Sequence, residues 1–132
     1  MERADRMTIR DMAEVLHARV LCGEDKLETP VTIACCSDLM SDVLAFVDDE
    51  KSVLITGMTN AHVLRTSEML DLKCIVFARG KVPAQDIIDE ADEDGFVLLC
   101  TKETGFTACG LLYEAGLRGV PVPVEWNTGG DA

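Results

Sequence analysis

The residues with the clearest potential for chemistry form a turn directly after an apolar segment, Val53–Ile55. Gly57 tolerates a tight turn, while Thr56, Thr59 and Asn60 place hydroxyl and amide groups on either side of it. A strand that ends in such a turn and leads into a helix directs backbone N–H groups to one point, as in many anion sites of α/β domains. The sequence therefore predicts a small-anion site at this turn.

A purely structural interpretation of the same turn stays open. Thr59 or Asn60 is also the kind of residue that caps a helix N-terminus, and Gly57 can serve the turn alone. His62, in the first turn of the following helix, is either a ligand contact or an exposed polar residue without a task. Helix capping and a tight turn need no bound ligand.

Further polar and basic residues follow the other predicted strands. These residues are Ser37, Arg79, Gly80, Lys81 and Lys102. Ligands of open α/β sheets bind at the carboxyl ends of parallel strands, so we expect Ser37, Arg79, Gly80 and Lys102 to lie near the turn at Thr56. Basic side chains gathered on an acidic protein favour a small anion, such as phosphate or an adenine nucleotide, as the ligand.

The cysteines predict buried free thiols rather than a disulfide framework. The chain has six, at positions 22, 35, 36, 74, 100 and 109, and most lie in apolar segments with no Cys-x-x-Cys pair. The pair Cys35–Cys36 is the exception, because it ends a predicted strand where a thiol with a lowered pKa could sit. Two isolated histidines, His17 and His62, give little support to a metal site, so we predict no metal.

Recognised catalytic motifs are missing from the sequence. A phosphate-binding loop ending at Gly80–Lys81 would require glycine in place of Ile75 and a hydroxyl in place of Val82. Neither a Gly-x-Ser-x-Gly elbow nor a Gly-x-Gly-x-x-Gly turn occurs. We therefore predict a protein that is not an enzyme and uses no cofactor. The alternative is a phosphoryl- or acyl-transfer enzyme that reacts through Cys36 or Asp38, with Lys102 as the electrophilic partner.

Composition limits the remaining classes. The 132 residues are 48% hydrophobic, which suffices for one core, and a net charge of −12 would repel nucleic acid and anionic membranes. No apolar run reaches the roughly 20 residues that span a bilayer, and residues 1–6 carry no secretion signal. We predict a cytoplasmic protein that binds neither nucleic acid nor membranes.

The first part of the chain predicts a helix, two short strands and a second helix. Thr8 is a suitable N-cap with Asp11 three residues later, and the helix should run from about 9 to 18. Apolar segments at 19–22 and 31–35 predict a hairpin-like pair or neighbouring strands. Ser37–Asp38 should open the second helix, whose apolar positions reach Val47.

From residue 52 onward the sequence predicts three strand–helix units, and hence an α/β fold. The strands are expected at 52–56, 73–78 and 96–100, and the helices at about 60–70, 84–93 and 104–115. The strands are almost wholly apolar, so helices should cover both faces of the sheet. Right-handed crossovers would make these strands parallel neighbours. The expected architecture has three layers, α/β/α, with a mostly parallel central sheet.

The predicted domain organisation is simple. Residues 1–6 form a flexible N-terminus, 7–118 a single domain, and 119–132 an extended segment and tail. Pro121 and Pro123 exclude a central strand there but suit an edge. A further alternative for function is a ligand-free dimerisation scaffold that uses the apolar residues Val120 to Trp126 as its contact.

Several segments together resemble the DRTGG domain, most closely its stand-alone form. They are Met7–Leu16, Val20–Glu24, Ala34–Leu44, Leu54–Asn60, Val63–Leu70, Ile75–Gly80, Leu99–Lys102 and Leu111–Gly116. The similarity runs from about residue 7 to residue 117. The five letters of the name do not occur in order, because Met58–Asn60 stand where Gly-Asp-Arg is common in fused forms.

The resemblance implies a regulatory or protein-interaction module. Its fold should be similar to that of the N-terminal domain of HPr kinase/phosphorylase. DRTGG domains beside CBS domains in pyrophosphatases contribute to dimer contacts, which implies a homodimer here. Stand-alone members are encoded near iron-only hydrogenase genes in anaerobes, which implies a link to that hydrogenase or to energy metabolism. An interaction module also implies a protein partner.

Overall fold

The computed structural model describes residues 7–41, 43 and 52–119. The α-helices that lie wholly within these residues are α1 (Ile9–Leu16), α2 (Ala61–Met69), α3 (Gln85–Glu93) and α4 (Gly105–Ala115). The strands are β1 (Arg19–Cys22), β2 (Ile33–Cys36), β3 (Ser52–Thr56), β4 (Cys74–Phe77), β5 (Val97–Cys100) and β6 (Arg118–Gly119). A single 3-10 turn covers Glu24–Lys26. The strand–helix alternation predicted after residue 52 is confirmed.

The six strands form one sheet in the order β1-β5-β4-β3-β2-β6. β2, β3, β4, β5 and β6 are parallel to their neighbours, while β1 lies antiparallel to β5. The predicted parallel arrangement of β3, β4 and β5 is therefore confirmed. The prediction that β1 and β2 pair is wrong, because three other strands lie between them in the sheet and each pairs with a strand from later in the chain.

Two apolar cores lie on the two faces of this sheet, so the three-layer architecture is confirmed. Alternate residues of β3 and β5 belong to opposite cores: Val53 and Leu99 pack with α1 and α4, while Leu54 and Leu98 pack with α2 and α3. These four side chains are fully buried. Burial on both faces explains why the strands are continuously apolar rather than alternating.

The local capping residues fix where the helices meet the loops. Thr8 and Asp11 form a reciprocal capping box at the start of α1, as predicted. The helix ends at Leu16, two residues earlier than predicted, because His17 adopts a left-handed conformation with φ 51°. Asn60 and Thr104 cap α2 and α4 through their side-chain oxygens.

Some predictions concern residues outside the described ranges. Met40, Ser41 and Val43 are helical, as predicted, but Leu44 and Val47 fall outside. Gly119 pairs with Ala34 at the edge of the sheet, which is where the extended segment was expected to begin. The predictions for residues 1–6 and 120–132, and the domain boundaries that depend on them, stay predictions.

Candidate functional site

The turn after β3 is held by a carboxylate of the protein itself. Asp38 accepts hydrogen bonds from the Thr56 hydroxyl and from the Gly57 N–H, both at 2.8 Å. The Thr56 oxygen in turn accepts from the Met58 N–H at 3.1 Å. Asp38 therefore takes the two donors that the sequence predicted would face an external anion.

Charge stabilises this arrangement. The hydrogen bond from Gly57, that from Thr56 and, to a smaller degree, the nearby Arg79 guanidinium lower the pKa of the Asp38 carboxyl, while burial opposes them. A Cβ atom on Gly57 would lie 3.0 Å from the Arg79 Nη2 atom. Arg79 thus lies against the turn, and the absence of a side chain at position 57 leaves room for it.

Lowering the pH is expected to weaken this turn. The folded-state pKa of Asp38 lies below its ordinary value, so its stabilising contribution is complete above the unfolded pKa of about 3.9 and is lost as the pH falls through the folded pKa. Asp38→Asn should lower the free energy of unfolding at pH 7 by about 0.5–1 kcal/mol, a small value because the group is exposed. The difference from the wild type should shrink below pH 4. Urea unfolding at pH 7 and pH 3 measures both effects.

Asp25→Asn is the matched control, because it removes the same charge from an exposed side chain that pairs only with its neighbour Lys26. We expect that variant to change stability by less than about 0.5 kcal/mol at either pH. An Asp38→Asn loss that persisted unchanged at pH 3 would show that the charge is not what holds the turn.

A second pair of contacts joins the loops after β4 and β5. Arg79 and Gly80 both have left-handed backbones, with φ 61° and 70°. Their N–H groups donate to the carbonyl oxygens of Glu103 and Thr101, each at 2.8 Å. Thr101 is buried, and its hydroxyl donates at 2.9 Å to the Leu16 carbonyl at the end of α1. These bonds bring the end of α1 and the two loops to the same edge of the sheet.

A groove of about 390 Å³ opens at this edge. It is lined by Leu16, His17, Arg19, Gly80, Val82, Cys100, Lys102 and Glu103. Two permanent cations, Arg19 and Lys102, therefore share the groove with an imidazole and one carboxylate. Arg19 reaches this place because β1 is antiparallel and its first residue pairs with Cys100, the last residue of β5.

The predicted site residues thus separate into groups. Gly80 and Lys102 line the groove, while Thr56, Gly57 and Arg79 surround Asp38. The remaining three have local roles or positions. Asn60 accepts from the Val63 N–H at 3.3 Å, Ser37 exchanges hydrogen bonds with the Leu39 backbone, and Thr59 is half-buried beside Asn60.

Sequence reasoning missed His17 and Arg19 as members of the groove. The sequence prediction rests on the carboxyl ends of parallel strands, whereas Arg19 begins an antiparallel strand. The available signal was a basic residue at the start of a short apolar segment. That signal indicates a binding site only when the pairing of β1 with β5 is known. Lys102 and Cys36 line different cavities, so the groove does not unite the nucleophile and cation of the enzyme alternative.

The described residues also bear on two other classes of site. Among them, no three His, Cys, Asp or Glu side chains converge in a way that could hold a metal ion. Of the helices in these ranges, none combines the length and apolar character required to cross a bilayer.

Fold and loops together define an α/β/α domain whose mostly parallel sheet gathers charged and hydroxyl side chains at one edge. The family model of the DRTGG domain matches residues 11–115. The chain therefore belongs to the DRTGG domain family, which confirms the resemblance.

A solved structure shares this fold. It is the crystal structure of the CBS and DRTGG domains of the regulatory region of Clostridium perfringens pyrophosphatase, complexed with the activator diadenosine tetraphosphate. The TM-score is 0.70 at 16% sequence identity, over 96% of this chain and 53% of that chain. This protein thus spans about half the length of the pyrophosphatase region. Among curated proteins, none matches the chain.

Proposed function

We propose that this protein is a non-catalytic regulatory module that binds a small phosphate-bearing ligand of the adenine-nucleotide class in the groove lined by Arg19 and Lys102. The observation that carries the proposal is the meeting of these cations at the strand-end edge of a protein with net charge −12. On such a protein, a local cationic groove is where an anion would be attracted.

The other lining groups suit a nucleotide better than phosphate alone. Val82 and Cys100 supply apolar surface for a base, and the Glu103 carboxylate can accept hydrogen bonds from ribose hydroxyls. The volume of about 390 Å³ falls within the range of small-molecule sites. The regulatory region of the pyrophosphatase, which shares the fold, was crystallised with a dinucleotide activator.

The groove replaces the turn at Thr56 as the proposed binding place. Asp38 already accepts the Thr56 hydroxyl and the Gly57 N–H, and a bound phosphate there would face that carboxylate at close range. Arg79 is engaged at the same turn. Like charges in contact repel, so the groove is the more favourable location for an anion.

Ligand titration of the full chain tests this proposal. AMP, ATP, diadenosine tetraphosphate and inorganic phosphate are titrated at low fixed ionic strength, with binding measured by calorimetry and by thermal unfolding. A ligand at a hundredfold excess over its Kd should stabilise the fold by about 2.7 kcal/mol. Arg19→Ala and Lys102→Ala should each weaken binding by about 10- to 150-fold, the effect of losing a charged hydrogen bond of roughly 1.5–3 kcal/mol.

Lys26→Ala is the matched control. Lys26 lies near Gly95, which precedes β5, so it is at the opposite end of the strands from the groove. Its Kd should stay within twofold of the wild type. Thr56→Val and Arg79→Ala decide between the two places: a loss of binding in these variants, with Arg19→Ala and Lys102→Ala unaffected, would return the site to the turn. No binding of any of the four compounds would contradict the proposal and favour the ligand-free scaffold.

The homodimer, the hydrogenase-linked partner and the cytoplasmic location stay predictions. Two exposed aromatic side chains on α4, Phe106 and Tyr113, support a surface for protein contact. Light scattering on the same samples, with and without nucleotide, measures the oligomeric state.

A further inference from the structure

Two cysteines far apart in the sequence meet on the α1–α4 side of the sheet. Cys36 is the exposed last residue of β2, and Cys109 is half-buried in α4. Both line a cavity of about 230 Å³ whose other walls are mostly apolar. A side-chain hydrogen bond between them is the first cause of the pKa shift of each thiol. A solvent-exposed thiol therefore shares its cavity with a second thiol.

The hydrogen bond gives the two thiols different chemistry. Donation from Cys109 lowers the pKa of the Cys36 thiol to about 7, although burial and the Asp38 carboxylate oppose the shift. The same bond, together with burial and the charges of Cys36 and Cys35, raises the pKa of Cys109. Cys36 is therefore the thiol of the pair that ionises more readily near neutral pH, and the thiolate is the nucleophilic form.

Two other cysteines, Cys22 and Cys74, lack this combination. Cys74 is buried, and burial raises the pKa of its thiol to about 12. Cys22 is also buried, and burial likewise raises its pKa. Neither thiol combines solvent access with a thiolate at neutral pH, which is what reaction with an oxidant requires.

We propose that Cys36 and Cys109 form a reversible oxidation site that reacts with hydroperoxides, with Cys36 as the attacking and Cys109 as the resolving thiol. The Cys36 thiolate attacks the terminal oxygen of the hydroperoxide, the O–O bond breaks, and an alcohol, or water from hydrogen peroxide, leaves after taking up a proton. The Cys36 sulfur is thereby oxidised to a sulfenic acid.

Cys109 carries out the second step of the reaction. Its sulfur attacks the Cys36 sulfur, the S–O bond breaks, and the hydroxide leaves as water with the proton of the Cys109 thiol. Two thiols and one hydroperoxide have then become one disulfide, one alcohol and one water. A dithiol reverses the change. The disulfide ties the end of β2 to α4 and requires no second copy of the chain.

Treatment of the reduced full-length protein with hydrogen peroxide at pH 7 tests the proposal. The wild type should lose two of its six thiols, with peptide mapping that places the disulfide between Cys36 and Cys109 and with full recovery in dithiothreitol. Cys109→Ser should stop at a sulfenic acid on Cys36 that dimedone traps. Cys36→Ser should leave Cys109 reduced, while the controls Cys35→Ser and Cys100→Ser should still form the disulfide.

A second measurement tests the assigned roles without an oxidant. Iodoacetamide alkylation of Cys36 should reach half of its maximal rate near pH 7 in the wild type. Cys109→Ala removes the donor, and the rate at pH 7 should fall several-fold, since the loss of thiolate is only partly offset by the higher intrinsic nucleophilicity of the more basic thiolate.

Three results would overturn the proposal. They are a disulfide between two copies of the chain, a disulfide through Cys35 or Cys100, and alkylation of Cys36 at pH 7 no faster than that of Cys100. Each of these measurements is made without nucleotide, so the outcome is independent of ligand binding in the groove.

Discussion

Replacing Phe96 with alanine is expected to lower the free energy of unfolding by about 3–5 kcal/mol, a large part of the stability of an ordinary domain. Phe96 is fully buried directly before β5 and belongs to the core between the sheet and the α2 and α3 helices. The Lys73 ammonium lies 4.9 Å from the ring centre. Truncation would remove apolar contacts, leave a cavity and abolish this cation–π contact.

The control is Phe106→Ala, since Phe106 is 89% exposed on α4. Its effect on the free energy of unfolding should stay within about 0.5 kcal/mol. Urea unfolding, followed by circular dichroism, compares the two variants with the wild type. A loss below about 1.5 kcal/mol for Phe96→Ala would mean that the core around it collapses to fill the space.

Gly23→Ala is the second substitution with a large expected effect, at least about 3 kcal/mol. Gly23 follows β1 with φ +87°, and a Cβ atom there would lie 2.6 Å from the Phe96 carbonyl oxygen and 2.8 Å from the Val97 Cα atom. Both are backbone atoms of the neighbouring chain segment, so β1 would have to move away from β5. The left-handed backbone adds its own cost of roughly 1–2 kcal/mol.

Gly80→Ala separates these two causes. Gly80 has a similar left-handed backbone, φ +70°, but nothing lies within 4 Å of the Cβ position. This variant should therefore lose only about 1–2 kcal/mol. Denaturant unfolding of both proteins without ligand gives the comparison. Equal losses would show that backbone conformation, and not the collision with Phe96 and Val97, decides the effect.

The centre of the fold could be predicted because its signals are local. Val53–Ile55 and Val97–Leu99 are continuous apolar runs, and each is followed by a helix with a recognisable cap, Asn60 or Thr104. Such patterns fix the type and sequence of the elements, and the handedness of crossovers then makes the strands neighbours. These elements can be predicted without knowing which residues from distant parts of the chain contact them.

The edges of the sheet could not be predicted in the same way. The segments at 19–22 and 31–35 are close in sequence, which favours a hairpin, but β1 instead pairs with β5 and β2 with β3. The strand that occupies each edge of the sheet is determined by the packing of the whole core. The apolar residues of β1 alone are compatible with either partner.

The same limit applies to the side chains of the loops. The sequence predicts that Thr56 and Gly57 lie where a strand ends in a turn, as they do. Asp38, the carboxylate that accepts hydrogen bonds from both residues, lies 18 residues from Thr56. The pairing of Cys36 with Cys109 spans an even longer stretch of chain. The sequence therefore predicts which groups reach the strand-end edge, while the sheet order determines which of them meet.

The position of β1 also sets the timing of folding during synthesis. Its partner β5 follows about 80 residues later, so at 5–20 residues per second the ribosome needs about 4–16 s to make it. Until then, β1 has no strand to pair with, and Cys22 and Phe96 cannot be enclosed together. The nascent chain therefore contains an unpaired apolar strand for seconds. During this interval the strand is accessible to chaperones.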